Sequence, residues 1–251
     1  MDFPQAREVV ERLVVLQEIG STNAELVARA SAGTEPDLSV LVTTSQTAGK
    51  GRLGRVWVAP PGKTIAVSVL LATGTQAPER LGWLPLLAGL AMTRAVGSLV
   101  TEHEVTLKWP NDVQVDGFKI SGLLAELVPG VGVVVGAGLN VSMTSDELPT
   151  ATSTSLALVG SAADVDTALA AYLAELAALY STFVAADLDP VSSGLHAAVT
   201  AECSSIGRAV RVELPGDGEL LGTATGIDLL GRLLVDGTAV AAGDVTHLRY
   251  R

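Results

Sequence analysis

The sequence predicts an α+β protein: strands and helices in a larger first unit, followed by a small all-β unit. Two observations carry this. Apolar runs of strand length, such as Val40-Leu41-Val42 and Ile65 to Leu71, are interspersed with segments of helical apolar spacing at 79–100 and 164–187. From about Ser204 the pattern changes to short apolar runs punctuated by turn signals. The chain has 251 residues, 48% hydrophobic and 17% charged, which suits one large core, or one core plus a small domain, and not a disordered chain. The expected division is 1–203 for the larger domain and 204–251 for the smaller.

In order, residues 4–15 read as a short amphipathic helix after Pro4, with Val9, Val10, Leu13 and Val14 on its apolar side. Leu16 to Gly20 reads as a strand. A helix then opens at Ser21-Thr22-Asn23, where Ser21 or Thr22 can cap it and Glu25 lies three residues beyond Thr22. Residues 79–100 form the first long helix, with Pro85 kinking it or marking a break near its start. Val105-Thr106-Leu107 is a strand ended by Trp109-Pro110; Asp116-Gly117 signals a hairpin. Lys119–Leu127 and Val131–Leu139 read as neighbouring strands around Pro129-Gly130. Residues 164–187 form an alanine-rich helix with Val165, Leu169, Leu173, Leu176, Leu179 or Tyr180, and Phe183 along one side, and a further helix covers 190–202. The remaining strands are expected at Ala209–Leu214, Gly218–Asp228, Arg232–Val235, Thr238–Ala241 and Val245–Tyr250. Pro215-Gly216-Asp217-Gly218, Leu230-Gly231 and Asp236-Gly237 separate them, a grammar that suits a small β-barrel.

The stretch with the most chemistry is Thr44 to Trp57. Lys50, Arg52 and Arg55 alternate with Gly49, Gly51 and Gly54, and no Asp or Glu occurs from Leu38 to Pro78 in a chain of formal net charge -11. Concentrated positive charge beside glycines that let backbone N–H groups approach closely suits an anionic ligand. A solvated hairpin tip or a basic nucleic-acid patch would also fit these residues alone. A second stretch runs Leu107-Lys108-Trp109-Pro110-Asn111-Asp112-Val113 and continues at Lys119-Ile120-Ser121-Gly122-Leu123-Leu124-Ala125-Glu126.

Together these stretches resemble the biotin protein ligases, whose pattern is a Gly-Arg-Gly-Arg-x-Gly-Arg loop, then Lys-Trp-Pro-Asn-Asp, then Lys-aliphatic-x-Gly-Ile/Leu-Leu. Gly136-Ala137-Gly138-Leu139-Asn140 matches the family's Gly-x-Gly-aliphatic-Asn, and Gly243 to Arg249 is similar to its closing strand. The likeness runs from about Gln17 to Arg251. Lys50 departs from it, standing where the family usually has Arg; lysine keeps the charge and loses the planar two-pronged contact. The resemblance implies a class II aminoacyl-tRNA synthetase-like, biotin–lipoate ligase catalytic fold, a mixed central β-sheet flanked by helices, with a small C-terminal SH3-like β-barrel.

It also implies ATP-dependent activation of biotin to biotinoyl-5′-AMP, with Mg²⁺ on the phosphates, and transfer to a lysine of a biotin carboxyl carrier domain of acyl-CoA or pyruvate carboxylases. The biotin side would comprise Ser21, Thr22, Asn23, Gln46, Gly49, Lys50, Gly51, Arg52, Trp57, Lys119, Gly122, Leu124 and Gly136. The nucleotide side would comprise Arg52, Arg55, Lys108, Asn111, Asp112, Lys119, Asn140 and Arg249. Lys119 and Arg52 would act on the reacting groups, and a protein metal ligand is not expected unless Asp112 lies near Mg²⁺. A lysine opening an apolar strand is costly if buried unpaired, so Lys119 is expected to face an anion. The rival readings are a lipoate ligase or lipoyl transferase, against which the absent Arg-Arg-x-Ser-Gly-Gly-Gly run speaks, and a non-catalytic biotin or adenylate sensor.

Other classes are disfavoured. A pI near 4.6 argues against DNA binding. Twenty residues before Ser21 leave no room for a winged helix-turn-helix, so repression is not expected. No uninterrupted apolar run of ~18–20 residues suggests a membrane span. The lack of an apolar signal core and the single Cys203, read as a small buried residue, fit a cytoplasmic location. His103, His196 and His247 have no metal-ligand spacing. An exposed sheet edge could support a homodimer.

Overall fold

The computed structural model describes residues 2–57, 59–74, 78–214, 218–241 and 243–248, and leaves out the side chains of Leu53, Pro78 and Asp244. Helix α1 (Pro4–Val9) stops early, and β1 (Leu13–Val15) follows. The expected helix over 4–15 is therefore too long, and the expected strand over 16–20 lies too late. Val9, Val10, Leu13 and Val14 fit a helical stripe locally, but Leu13–Val15 gains a parallel partner in β2 (Val40–Thr43). Tertiary pairing overrides local spacing here. Between them α2 (Thr22–Ser31) begins on Ser21, whose Oγ accepts from the Ala24 N–H. Glu25 does not complete a capping box; it pairs with Arg29 one turn on.

The loop after β2 carries its own small hairpin, β3 (Gly49–Lys50) with β4 (Val56–Trp57), around a 3-10 turn at Arg52–Gly54. Next come β5 (Thr64–Leu71) and α3 (Trp83–Leu99), with Pro85 in the first turn of α3, where its missing N–H is tolerated. Then follow β6 (Val105–Lys108), β7 (Asp112–Val115), β8 (Phe118–Val128) and β9 (Gly132–Asn140), much as the hairpin signals require. The strand order is β1-β2-β5-β9-β8-β7-β6, antiparallel apart from β1 with β2.

Strand alternation divides this sheet into two faces. Ile65, Val67, Val69, Leu71, Val133, Val135, Ala137 and Leu139 join the main core beneath α3 and α4 (Val165–Ala185). Helix α4 is long and apolar enough to cross a membrane by length and composition, yet Leu169, Tyr172, Leu173, Leu176, Tyr180 and Phe183 are buried and it packs on α3 and α1. The other face carries Ala66, Ser68 and Leu70 on β5 and Val134, Gly136, Gly138 and Asn140 on β9. There α2 covers only one end, burying Leu26 and Ala30 on Leu41, Leu70 and Val134. The rest of that face is left to small residues.

Helix α5 (Leu195–Glu202) is shorter than expected and leads into the last unit, a five-stranded antiparallel sheet: β10 (Ala209–Leu214), β11 (Gly218–Ile227), β12 (Leu233–Val235), β13 (Thr238–Val240) and β14 (Asp244–His247). Its order is β13-β12-β11-β10-β14, with the last strand returning beside β10, in keeping with the expected small all-β C-terminal unit; among the described residues no pairing of β13 with β14 is seen. The turn expected at Pro215-Gly216-Asp217 and the residues from Arg249 on lie outside the described residues. Two buried indoles fasten this unit to the first: Trp83 Nε1 donates to the Leu229 carbonyl at 2.8 Å and Trp109 Nε1 to the Gly231 carbonyl at 3.0 Å. Cys203 is buried beside this junction, and burial raises its thiol pKa.

Candidate active site

The small-residue face forms the floor of a cavity of about 370 Å³, within the usual range for small-molecule sites. Register explains the floor. Ala66, Gly138, Gly122 and Asp112 stand opposite one another across β5, β9, β8 and β7, and Ser68, Gly136 and Leu124 form the neighbouring row. Glycine is required in both rows. A Cβ on Gly138 would come within 2.5 Å of the Trp57 ring, and one on Gly136 within 2.4 Å of Asn23 Oδ1. The indole of Trp57, at the end of the β3–β4 hairpin, thus lies against the floor over Gly138 and Gly122.

Polar groups are concentrated at the α2 end. Thr22 N–H donates to Gln46 Oε1 at 2.9 Å, and Thr22 and Asn23 each lie 2.8 Å from Ser68 Oγ. Ser21 caps α2 and Thr22 and Asn23 sit in its first turn, and all three line the cavity.

Lys50, Arg52, Arg55, Lys108 and Lys119 all line this one cavity, and Asp112 is the acidic residue among the described residues that line it. The expected concentration of cations is met. Arg52 Nη1 donates to Asn111 Oδ1 at 2.8 Å, and Arg52 Nη2 to the Gly243 carbonyl at 3.3 Å. Asn111 in turn donates from Nδ2 to the Leu123 carbonyl at 3.1 Å, which fixes the direction of its oxygen. Lys119 Nζ lies 2.6 Å from Asp112 Oδ1, so this lysine is paired and does not trail into solvent. No cluster of three His, Cys, Asp or Glu side chains able to hold a metal occurs among the described residues.

The structure thus brings together Ser21, Thr22, Asn23, Gln46, Lys50, Gly51, Arg52, Arg55, Trp57, Lys108, Asn111, Asp112, Lys119, Gly122, Leu124, Gly136 and Asn140 around one space. Gly49 is the exception: it is buried within the hairpin, paired with Trp57, where a Cβ would meet the Trp57 carbonyl at 2.5 Å and Gln46 Nε2 at 2.9 Å. Its place is structural because it lets two backbones approach. Asn140 is buried and donates to the Thr154 carbonyl at 2.8 Å, tying down the loop that rims the cavity. Arg249 lies outside the described residues.

Sequence reasoning missed Ser68, Gly138, Thr150, Thr152, Ser153, Gly243, Val245 and Thr246, which also line the cavity. Ser68 had a signal, being the polar residue inside Ile65 to Leu71, and Gly138 shares a strand face with Gly136. The others come from distant segments. Thr150, Thr152 and Ser153 belong to the loop after β9, held by an ion pair of Lys63 with Glu147 and by the exchange of backbone hydrogen bonds between Lys119 and residues 152 and 154.

A mixed sheet backed by helices, with a cavity on its open face lined by five cations and by uncharged polar groups at the α2 end, defines a site suited to anionic ligands. The comparisons agree. Residues 16–140 match the Biotin/lipoate A/B protein ligase family, and residues 205–248 match the Biotin protein ligase C terminal domain. A Biotin--[acetyl-CoA-carboxylase] ligase of Mycobacterium tuberculosis is 40% identical over 95% of this chain and 90% of its own length. The Bifunctional ligase/repressor BirA of Escherichia coli is 31% identical over 89% of this chain and 69% of its own. The solved Biotin protein ligase from Aquifex aeolicus in complex with biotin and ATP has a TM-score of 0.77 at 27% identity, covering 96% of this chain and all (100%) of that one. The chain belongs to the biotin protein ligase family.

Proposed function

We infer that this protein activates biotin with ATP to biotinoyl-5′-AMP and transfers the biotinoyl group to a lysine of a biotin carboxyl carrier domain. The observation that carries the reading is the meeting of five cationic side chains with an uncharged polar end in one cavity. A carboxylate and a triphosphate repel one another, and fixed positive charge lowers the cost of holding them together. One biotin carboxylate oxygen attacks the α-phosphorus, a P–O bond to pyrophosphate breaks, and a mixed anhydride forms. The carrier amine then attacks the acyl carbon, AMP leaves with the C–O bonding pair, and the amine proton passes to solvent. No enzyme nucleophile is needed, and the protein contributes placement and electrostatics.

In this reading Ser21, Thr22, Asn23 and Gln46 take the ring end of biotin. Trp57, Gly122, Leu124 and Gly136 wall it, and Lys50, Gly51, Arg52 and Lys119 meet the carboxylate and the acyl phosphate. Arg55, Lys108, Asn111, Asp112, Asn140 and Arg249 serve the nucleotide. Mg²⁺ fits as an ion carried mainly by the phosphates, which commonly need only one or two protein carboxylates; Asp112 is the residue that would hold it, and the ion would neutralise part of the phosphate charge. The carrier class follows the name of the 40% identical relative. A cytoplasmic location and dimerisation through the outer edge of β1 complete the reading; sedimentation tests the latter.

The test is incubation with biotin, Mg-ATP and a carrier domain, with Lys119→Ala and Arg52→Ala as controls. Pyrophosphate exchange with biotin and with lipoate runs beside it. Biotin-dependent exchange and a biotinylated carrier are expected. Exchange with lipoate alone would make the protein a lipoate ligase, and biotin binding without exchange would make it a sensor.

A further inference from the structure

The backbone on both sides of Lys108 is held by the segment that opens the last unit of the chain. Lys108 ends β6, the edge strand of the main sheet, and lines the cavity. On one side it pairs with Asp112 of β7. On the other side the chain lies alongside β6 as a short parallel addition, with Cys203 opposite Leu107. Ser204 N–H donates to the Leu107 carbonyl at 2.8 Å. Bonds in a parallel ladder are evenly spaced, and the next N–H, that of Trp109, would go to a backbone carbonyl. It goes instead to a side chain, Ser205 Oγ, at 3.1 Å. Cys203 Sγ also takes part, as a weaker acceptor for the same N–H. Ser205 and Leu107 are fully buried and Trp109 is 2% exposed, so solvent cannot replace the lost bond. Ser205 Oγ has a second partner, His247 Nε2 at 3.1 Å, at the end of β14. That strand brings Val245 and Thr246 to the cavity, and Gly243 just before it accepts from Arg52. One buried hydroxyl therefore joins two walls of the cavity.

We propose that Ser205 is a positioning residue for the nucleotide half of the reaction: through the Trp109 backbone and His247 it fixes Lys108 against the lining end of β14, so that this cation meets the phosphates of ATP from a set place. Lysine is a point charge on a flexible four-carbon stem, so where its charge falls depends on where its backbone is anchored. Lys108 ends an edge strand, and its carbonyl accepts from Asn111 N–H in the turn that follows. Without the Ser205 hydroxyl, the Trp109 N–H is buried with no strong acceptor, and the strand end shifts to relieve it. Such a shift moves Lys108 first. The α2 end of the cavity stands on other elements and keeps its place. The inference rests on the ligase reading, in which Lys108 serves the nucleotide and the α2 end serves biotin. It separates the two substrates: ATP is affected and biotin is not.

The experiment is biotin-dependent pyrophosphate exchange by the full-length protein, read as KM for ATP at saturating biotin and KM for biotin at saturating ATP. The variants are Ser205→Ala, Ser205→Cys, Trp83→Phe, Lys108→Ala and the double variant Ser205→Ala with Lys108→Ala, with a melting temperature for each. Ser205→Ala is expected to raise KM for ATP about tenfold, the scale of one buried donor left unsatisfied, with KM for biotin unchanged. Ser205→Cys fills the same space with a weaker acceptor and gives a smaller rise, about threefold; it carries the test should the alanine variant not fold. Trp83→Phe removes the 2.8 Å bond to Leu229 elsewhere in the same junction. It is expected to lower the melting temperature and leave KM for ATP as it was. In the Lys108→Ala background, Ser205→Ala adds less than about twofold, because the two residues act as one. An unchanged KM for ATP in folded Ser205→Ala or Ser205→Cys overturns the proposal and leaves the ligase reading intact. So does an equal rise in Trp83→Phe, or full additivity with Lys108→Ala. A wild-type protein without biotin-dependent exchange overturns the ligase reading and this proposal with it.

Discussion

Lys119 Nζ stands 2.6 Å from Asp112 Oδ1, on adjoining strands whose backbones also meet through the in-register pair Asp112 and Gly122. The lysine is therefore held at the cavity wall by a side chain of the neighbouring strand. Its backbone donates to the Thr152 carbonyl at 2.8 Å and accepts from Thr154 N–H at 2.8 Å, so the strand start is pinned to the cavity rim as well. A charge fixed in place costs little reorganisation when a reacting anion forms beside it. Lys119→Ala is expected to slow biotin-dependent adenylate formation by about 100-fold or more. Asp112→Asn, which frees Lys119 from its partner but keeps its charge, should cost about tenfold, the scale of one charge-assisted hydrogen bond. Pyrophosphate release under single-turnover conditions measures both. A Lys119→Ala protein retaining half the wild-type rate would remove Lys119 from the chemistry.

Gly138 and Trp57 make a second test. A methyl group on Gly138 would sit 2.5 Å from the indole, and the ring belongs to a two-residue strand at the cavity mouth. Moving that hairpin is easier than moving the central strand β9, so Gly138→Ala should displace the ring more than it unfolds the protein. The expected result is a biotin Kd raised about tenfold and a changed tryptophan emission, with a stability loss at the low end of the ~1–3 kcal/mol typical of overpacking. Gly97→Ala is the control, since nothing lies within 4 Å of a Cβ there. Equal, unchanged affinities in both variants would mean that Trp57 does not wall the ligand.

These two sites mark what local sequence could and could not reveal. Lys50, Arg52, Arg55, Lys108 and Lys119 were legible because each sits in a short stretch where glycines, Trp-Pro or a strand start frames the charge. The strands β5 and β9 were legible as apolar runs, but their two faces were not separated, because large and small apolar residues read alike in an unbroken run. The true end of α1 was not, because Leu13–Val15 becomes a strand only through β2, 25 or more residues away. Nor were Gly243, Val245 and Thr246, which reach the cavity because Trp83 and Trp109 fasten the last unit to the first. Trp109, framed by the most recognisable motif in the chain, turns out to serve that junction.

The rim loop after β9 carries a pH prediction. Glu147 accepts from Lys63 Nζ and from Thr144 N–H and Oγ1, and these bonds, Lys63 first, hold its carboxyl pKa down at about 2 against an ordinary 4.5. A pKa lowered on folding stabilises the fold above the unfolded value. The contribution is therefore complete above roughly pH 4.5 and disappears as pH falls through about 2. A carboxyl ¹³C titration of Glu147 should show a midpoint well below that of ordinary glutamates, moving up in Lys63→Ala. A wild-type midpoint near 4.5 would mean the ion pair is not formed in solution.

Lys50 offers the last test, because there the chain departs from its family's usual arginine. Lys50 is exposed on β3 opposite Val56 while still lining the cavity, so a longer side chain has solvent to extend into. Arginine keeps the charge, adds a planar fork that can grip a carboxylate or phosphate with two bonds, and is held less tightly by water. Lys50→Arg is accordingly expected to bind biotin as tightly as wild type or up to about threefold more tightly, the range of one added hydrogen bond net of desolvation. Lys50→Ala should weaken binding. Isothermal calorimetry decides the matter: a tenfold loss in Lys50→Arg would mean that the compact ammonium is itself the fitted group, and that the loop has been shaped around lysine.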